Sequence, residues 1–326
     1  MTATAASAAL RAFMSGLIDY AGLFPPARLE LGPAVDEYVR HLGEPESFML
    51  GRFIVPSARA GELLDRLPAP AAGRPFRLAV LAGGGSTERE ALNLIRSEAE
   101  ALRGLVEARP GKAAVEAIET RLPRETVDAA DSERVRDYVD DFRAVLAGAG
   151  LKGIPVAFEA AQGARWRETD RDAVVGLADA GAADPWPHPG FKLRCGGQEP
   201  SDVPPAERVA RVISECRDRG VPLKCTAGLH QPMRRAGSAG ERHGFLNVFA
   251  AAVLASASRL PEAEIEACVR EEEASSFRLD EDALSWRGRG ASAAEVETAR
   301  RTLATGFGSC SFDEPRQGLR DLGFLG

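Results

Sequence analysis

Residues 191–226, FKLRCGGQEPSDVPPAERVARVISECRDRGVPLKCT, contain the pattern that decides the fold. A short apolar run at 191–195 is followed by a turn, an amphipathic segment at 206–219 and a second apolar run at 222–226. The amphipathic segment carries an apolar stripe at helical spacing, made of Val209, Val212 and Ile213. This order of strand, helix and strand predicts two parallel strands joined by a crossover helix.

The same alternation recurs from about residue 48 to residue 256. Near-continuous apolar runs are typical of parallel strands, because both faces of such a sheet are covered. The runs that fit this description are 48–55, 76–82, 113–119, 154–159, 191–195 and 222–226. Two more strands are expected at 17–20 and 307–312. Eight strand–helix units favour a closed α/β barrel, the (β/α)8 or TIM barrel, over an open sheet.

One segment near the C-terminus does not follow this alternation. Residues 261–289 predict an insertion made of a helix and a small hairpin at 277–286, which turns at 280–282. We expect residues 1–326 to form a single barrel domain that carries this insertion, since barrels commonly reach this length as one domain.

The composition excludes several classes of protein. The chain is 44% hydrophobic and 27% charged with a net charge of −7, and it has no basic run with interleaved aromatics, so nucleic acid is not an expected partner. No stretch approaches the ~18 consecutive apolar residues of a membrane span, and the start does not resemble a signal peptide. The five cysteines are widely spaced, which is typical of reduced thiols in a cytoplasmic protein. A homo-oligomer is compatible with the sequence.

The direction of charged residues on the strands predicts a site. A charge packed between strand and helices would be desolvated without a partner, so charged side chains are expected to face the barrel interior. Alternation along the strands then places Lys192 and Arg194 inside on one strand, and Lys224 and Thr226 on the next. The same rule turns Glu159 inward on the strand at 154–159.

The strand at 113–119 is ambiguous, because Glu116 and Glu119 lie on opposite faces of a regular strand. Glu119 is the expected inward residue, since it is nearer the strand's carboxyl end, where barrel enzymes have their active sites. Small residues at 196–197 and 227–228 follow two of the strands and would let a ligand approach the backbone. A set of structural salt bridges inside the barrel is the alternative interpretation.

Two stretches, FKLRCGG at 191–197 and LKCTAGLH at 223–230, resemble the two lysine strands of Schiff-base aldolases of the deoxyribose-phosphate aldolase type. In that family a lysine on the sixth strand forms the imine and a lysine on the seventh activates it. The resemblance implies these roles for Lys192 and Lys224. Arg194 departs from the family's smaller residues, and no match to its acidic proton-shuttle position is evident. The segment IDYAGLFPP at 18–26 resembles the opening of bacterial proteins without an assigned activity.

Further residues are candidates for substrate contacts. Asp19 lies at a strand end, and Arg52 lies in an otherwise apolar strand, where an anionic ligand or Asp19 would pair with it. His243 and Asn247 share one helix face after the seventh strand. Ser309 belongs to a glycine- and serine-rich segment that leads into a helix, a setting that suits an anion. Each of these also has a structural interpretation, as an ion pair, a helix cap or a plain turn.

These residues predict a lyase or isomerase that acts on a small, polar, anionic carbonyl compound without a cofactor. Lys192 would form an imine, with Lys224 activating it, and Glu119 or Glu159 would move protons. One alternative is a lyase, isomerase or hydrolase that depends on a divalent metal held by Glu119, Glu159 and His230. In the first scheme His230 is a further acid or base. The other alternative is a binding protein without catalysis.

Overall fold

The fold is that of a (β/α)8 barrel, seen in a computed structural model that describes residues 6–182, 186–197, 199–236 and 241–326. The barrel strands are β1 (Ile18–Tyr20), β2 (Leu50–Pro56), β3 (Phe76–Leu81), β4 (Ala113–Arg121), β5 (Val156–Glu159), β6 (Gly190–Arg194), β7 (Leu223–Thr226) and β11 (Ala304–Ser309). They form a closed parallel barrel in the order β1-β11-β7-β6-β5-β4-β3-β2. The predicted fold class is confirmed. The last strand begins three residues before the predicted 307, because Ala-Thr-Gly at 304–306 carries a weak strand signal.

Helices alternate with the barrel strands. They are α1 (Ala8–Met14), α2 (Leu31–Leu42), α3 (Ala60–Arg66), α4 (Glu88–Glu107), α5 (Arg124–Ala129), α6 (Ser132–Gly148), α7 (Trp166–Ala182), α8 (Ala206–Arg219), α9 (Phe245–Ser258), α10 (Glu262–Val269), α11 (Ala293–Thr302) and α12 (Asp313–Asp321). Local sequence fixes several of their ends. A capping box between Thr87 and Glu90 starts α4, and Gly220, with φ of 68°, ends α8 in the left-handed conformation.

The predicted insertion contains a helix, α10, followed by a small antiparallel sheet. This sheet has three strands, β8 (Phe277–Leu279), β9 (Ala283–Trp286) and β10 (Arg289–Ser292). The third strand was not predicted, because Arg-Gly-Ala-Ser has no β-branched or aromatic residue to indicate a strand.

The tertiary contacts group the chain into two compact units. The central unit comprises Ala21–Gly43 and Arg52–Lys192, and the terminal unit comprises the described residues up to Tyr20 together with Glu44–Gly51 and Leu193–Gly326. The boundaries fall inside β2 and β6, so neither unit is a separate run of strand–helix repeats. The single domain expected over 1–326 stays a prediction.

In the central unit, an aromatic cluster fixes the facing of β5. Phe158 packs edge-on against Phe142 of α6, with ring centroids 5.3 Å apart, and against Tyr138 at 6.5 Å. Phe158 therefore faces the helices, and its neighbour Glu159 faces the other side of the strand.

In the terminal unit, helix α9 is buried along most of its length. Every residue from Phe245 to Ala255 is buried. Phe245 and Phe249 pack against Phe307 of β11, with centroids 5.4 Å and 5.6 Å apart. The inserted elements α10 and β10 also pack on α9. A helix that is apolar all round must be covered on every side, so the insertion covers a face of α9 that water would otherwise reach.

Candidate functional site

The central unit brings three predicted residues together on neighbouring strands, level with the carboxyl ends of β4 and β5. Lys192 Nζ lies 2.9 Å from Glu119 Oε2 and 3.1 Å from Glu159 Oε2, and none of the three side chains is more than 8% exposed. Strand register explains the meeting, since Glu159 pairs with Lys192 and Glu119 lies beside Ala157. Glu119, Glu159 and Lys192, with Arg121 at the edge, are called the Lys192 cluster below.

The Lys192 cluster combines one buried positive charge with two buried carboxylates. Buried charges are stable only when they are paired and hydrogen-bonded, and the Lys192 ammonium supplies a cation to two carboxylates at once. Carboxylates at this distance from an amine can accept and return its protons. In the central unit, the partners of Lys192 are thus proton acceptors, whereas the resemblance implied a second cation beside it.

Arg121 belongs to this cluster and was not among the residues predicted from the sequence. It is the last residue of β4, and its Nε lies 3.8 Å from Glu159 Oε1 while its side chain is 70% exposed. The available signal was its position two residues after Glu119, which gives both residues the same facing. An exposed guanidinium at the edge of the cluster is suited to bind a carboxylate or phosphate.

A β-bulge resolves the ambiguity of the strand at 113–119. The register of β3 with β4 shifts so that Leu78 pairs with Val115 and Ala79 with Ala117, which leaves Glu116 as the extra residue. A bulge re-aims the side chain that it contains. Glu116 contacts Arg77 at 2.8 Å and Arg52 at 3.3 Å. Arg52 therefore has a protein carboxylate as a partner, a residue that the sequence argument had not assigned to it.

The terminal unit holds a second buried ion pair, between Lys224 Nζ and Asp19 Oδ2. Both residues are at most 5% exposed. Their strands, β7 and β1, lie on either side of β11, where Gly306 pairs with Lys224 and Gly308 with Asp19. Because glycine has no side chain, the long lysine side chain can reach the aspartate across β11.

Close packing also requires glycine at other positions of the terminal unit. A Cβ on Gly51 would overlap the Asp19 carboxylate. A Cβ on Gly196 would lie 2.7 Å from the Gly228 Cα, so the loops after β6 and β7 meet backbone to backbone. The predicted small residues at these loops thus serve close packing, which the sequence alone could not distinguish from room for a ligand. Thr226, opposite Gly308, ends β7 beside these loops.

The remaining predicted substrate contacts bond to the backbone. Asn247 donates to the carbonyls of Cys268 and Glu271 at 3.1 Å and 2.8 Å, which uses both amide hydrogens. Arg194 donates to the Gly196 carbonyl at 3.3 Å, and Ser309 donates to the Ser311 carbonyl at 2.6 Å. These bonds give the residues structural roles, and their part in substrate binding stays a prediction.

His243 is buried and lies within 2.7 Å of the Pro204 carbonyl through Nε2. This contact places the ring proton on Nε2, where it donates to the carbonyl. Burial lowers the pKa of His243, and the hydrogen bond to Pro204 offsets part of that effect. The imidazole is therefore held in its neutral form, tied to the loop before α8.

His230 meets two side chains that sequence reasoning had not joined to it. Its Nδ1 lies 3.1 Å from Glu314 Oε2 and 3.9 Å from Cys310 Sγ. The three residues come from the loop after β7, the end of β11 and the first turn of α12, so their meeting depends on loop geometry.

Cys225, the cysteine of β7, is a buried thiol. A hydrogen bond with Cys195 and burial raise the pKa of the Cys225 thiol well above its usual range, as expected for cysteines that face helices.

No protein-family profile matches this chain, and neither does any curated protein sequence. Within the described ranges, no helix combines the length and apolar character needed to cross a bilayer. The chain has the barrel fold but no assigned family, and a fold alone does not determine an activity, so the side-chain clusters are the features that bear on function.

Proposed function

We propose that this protein is an enzyme, a lyase or isomerase, that acts on a small polar carbonyl compound through an imine on Lys192. The observation that carries the proposal is the placement of one buried lysine between two buried carboxylates at the carboxyl ends of barrel strands. No cofactor is required for this chemistry, since the protein supplies the amine, the proton acceptors and an exposed cation.

The first step joins Lys192 Nζ to the carbonyl carbon of the substrate. The ammonium gives one proton to Glu119 or Glu159, the freed amine attacks the carbon, and the carbonyl oxygen leaves as water. The resulting imine draws electrons from the adjacent carbon. A carboxylate of the same cluster can then take or return a proton there, which gives isomerisation, or assist the breaking of a carbon–carbon bond.

Arg121 is the residue we assign to an anionic group on the substrate. Its guanidinium is exposed and only 3.8 Å from Glu159 Oε1, so it can turn to a carboxylate or phosphate of an incoming molecule. Arg52 and Arg194 were the sequence-based candidates for this role. The pairing of Arg52 with Glu116 and the bond of Arg194 to Gly196 make Arg121 the better choice.

The test is borohydride trapping with a panel of small aldehydes and 2-oxo acids, followed by peptide mass spectrometry. We expect a reduced adduct on Lys192 that is absent from Lys192→Arg, a variant that keeps the positive charge. Lys224→Arg is the matched lysine control and should still trap on Lys192. An adduct confined to Lys224, or no adduct with any carbonyl compound, would contradict the proposal.

Arg121→Gln tests the anionic group in the same assay. Trapping of a 2-oxo acid should fall by about tenfold, the loss expected for one exposed charge-assisted contact of roughly 1.5 kcal/mol. Trapping of an uncharged aldehyde of similar size should not change. An equal loss for both compounds would remove Arg121 from substrate recognition.

A divalent-metal reaction at Glu119 and Glu159 is the alternative to the imine. Here the two carboxylates would be oxygen ligands, and Lys192 would be displaced from between them. Activity that a chelator abolishes and added metal restores, in protein that traps no carbonyl compound, would favour this alternative.

A further inference from the structure

A second cluster of reactive side chains lies in the terminal unit, at the end of β11. Cys310 directly follows this strand and is 7% exposed. Its Sγ lies 3.9 Å from His230 Nδ1, and the same nitrogen lies 3.1 Å from Glu314 Oε2. His230 and Glu314 are more exposed, with 27% and 52% of their side chains accessible. The Cys310 cluster below means these three residues.

The sulfur of Cys310 has a different environment from the sulfurs of Cys195 and Cys268. Cys195 Sγ faces the Leu193 carbonyl and Cys268 Sγ faces the Asn247 carbonyl, both at 3.9 Å. A backbone carbonyl can accept a hydrogen bond from a thiol but cannot take its proton. Cys216 is fully buried. Cys310 has an imidazole against its sulfur, and an imidazole is a base at neutral pH.

The backbone on both sides of Cys310 is held in place. Ser309 donates to the Ser311 carbonyl at 2.6 Å, and the Glu314 amide donates to the Ser311 hydroxyl at 3.1 Å. These bonds fix Cys310 just before the first turn of α12.

We propose that the Cys310 cluster is a reactive-thiol site that exchanges with small disulfides. His230 Nδ1 takes the thiol proton, and the Cys310 sulfur attacks one sulfur of the disulfide. The disulfide bond breaks as the new sulfur–sulfur bond forms, and the leaving thiolate takes the proton from His230. Glu314 Oε2, 3.1 Å from the same nitrogen, accepts a hydrogen bond from the imidazolium that exists between these two proton transfers. The site is independent of the imine chemistry proposed for Lys192.

The experiment treats the full-length reduced protein with hydroxyethyl disulfide, a small uncharged disulfide, between pH 6 and pH 9. Peptide mass spectrometry gives the rate of mixed-disulfide formation at each cysteine, with Cys216 as the internal reference. We expect Cys310 to react fastest. In His230→Gln its rate at pH 7 should fall by about 100-fold, the lower end of what a positioned base contributes.

Glu314→Gln is the second variant, chosen because the Glu314 side chain is 52% exposed and its replacement should leave the fold unchanged. We expect a smaller rate loss at pH 7 than in His230→Gln, because the imidazolium loses its carboxylate partner. Circular dichroism of each variant checks the fold. If Cys310 reacts no faster than Cys216, or reacts equally fast in wild type, His230→Gln and Glu314→Gln, the proposal is overturned.

Discussion

Lys192 is a buried cation placed between two buried glutamates. Taking charges out of water is costly, and the remaining members of a buried ion-pair cluster become strongly destabilising when one partner is removed. Lys192 therefore has a structural role beside its proposed chemical one. The two roles can be separated, because a methionine or an arginine at this position removes the amine, but only the methionine removes the charge.

For Lys192→Met, we predict a loss of about 3–5 kcal/mol in the free energy of unfolding at pH 7, the usual cost of removing one partner from a buried ion-pair cluster. Urea unfolding at pH 7 measures this loss. Lys192→Arg should lose less at pH 7, and equal losses for the two variants would contradict the charge argument.

His243 makes the free energy of unfolding depend on pH, because its imidazole is buried in the neutral form. Burial lowers its pKa, so the unfolded chain, with an ordinary histidine pKa near ~6.5, takes up the proton first as the pH falls. The stabilising contribution of neutral His243 is therefore complete above about pH 6.5 and is lost as the pH falls below it. In His243→Gln, whose side-chain amide can still donate to Pro204, the free energy of unfolding should fall less between pH 7 and pH 5.5. Equal slopes in urea titrations of the two proteins would refute this.

Residue types at strand positions predicted much of the Lys192 cluster. The alternation of Phe158 and Glu159 shows in the sequence which side is apolar, and the structure packs Phe158 against the helices as that alternation requires. The partner of Arg52 could not be predicted, because a bulge at Glu116 breaks the two-residue period on which the argument depends. The meeting of His230 with Cys310 lay equally out of reach, since loop geometry decides it.

At the scale of elements, the insertion shows how one buried carboxylate can organise a small sheet. Glu271 accepts hydrogen bonds from the Trp286 indole at 3.0 Å and from the amides of Glu272 and Glu273 at 3.1 Å, and it pairs with Arg287 at 2.6 Å. Burial alone would raise the pKa of Glu271, but these hydrogen bonds lower it overall. The end of α10 is thereby joined to β9.

Glu271→Ala should loosen the three-stranded sheet, because the Trp286 indole and two backbone amides lose their acceptor. We predict that protection of amides in β8, β9 and β10 falls by about 1–3 kcal/mol, the cost of leaving buried donors without a partner. Hydrogen exchange followed by mass spectrometry measures it. Glu273→Ala, an exposed residue of the same turn, is the control, and equal effects of the two substitutions would contradict the role of Glu271.

The presence of the barrel strands was easier to predict than the residues at which they begin and end. Apolar runs located six of the eight barrel strands, since a parallel sheet covered on both faces needs such runs, and the other two were expected at 17–20 and 307–312. β10 was missed because its stability comes from pairing with β9, in a register that matches Ala291 with Leu284, and not from its own residues. Tertiary context overrides local propensity most easily in such short strands.

At the scale of the whole molecule, the barrel is closed by its first strand. Ile18, Asp19 and Tyr20 pair with Phe307, Gly308 and Ser309 of β11. Arg300 of α11 also donates to the Phe13 carbonyl at 2.8 Å, so the two ends of the chain hold each other in the terminal unit.

Deletion of residues 1–20 should make the protein aggregate. It removes β1 and leaves an edge of β11 with unpaired backbone groups, which is a template for pairing with other chains. It also removes the carboxylate that pairs with Lys224. Size-exclusion chromatography with light scattering measures the outcome. Asp19→Asn keeps the strand and should remain monodisperse, if less stable, whereas a monodisperse deletion variant would show that β1 is dispensable.

The pairing of Asp19 with Lys224 has a consequence for synthesis on the ribosome. The two residues are 205 positions apart, so at typical translation rates Asp19 is added to the chain about 10 to 40 seconds before its partner. During this interval the nascent amino-terminal strand has neither β11 nor β7 to join. Its aspartate stays in water, where a charge costs nothing to keep. A charged residue on a strand disfavours pairing with a wrong partner, so we expect the Asp19 carboxylate to limit such pairing until β11 and β7 are made.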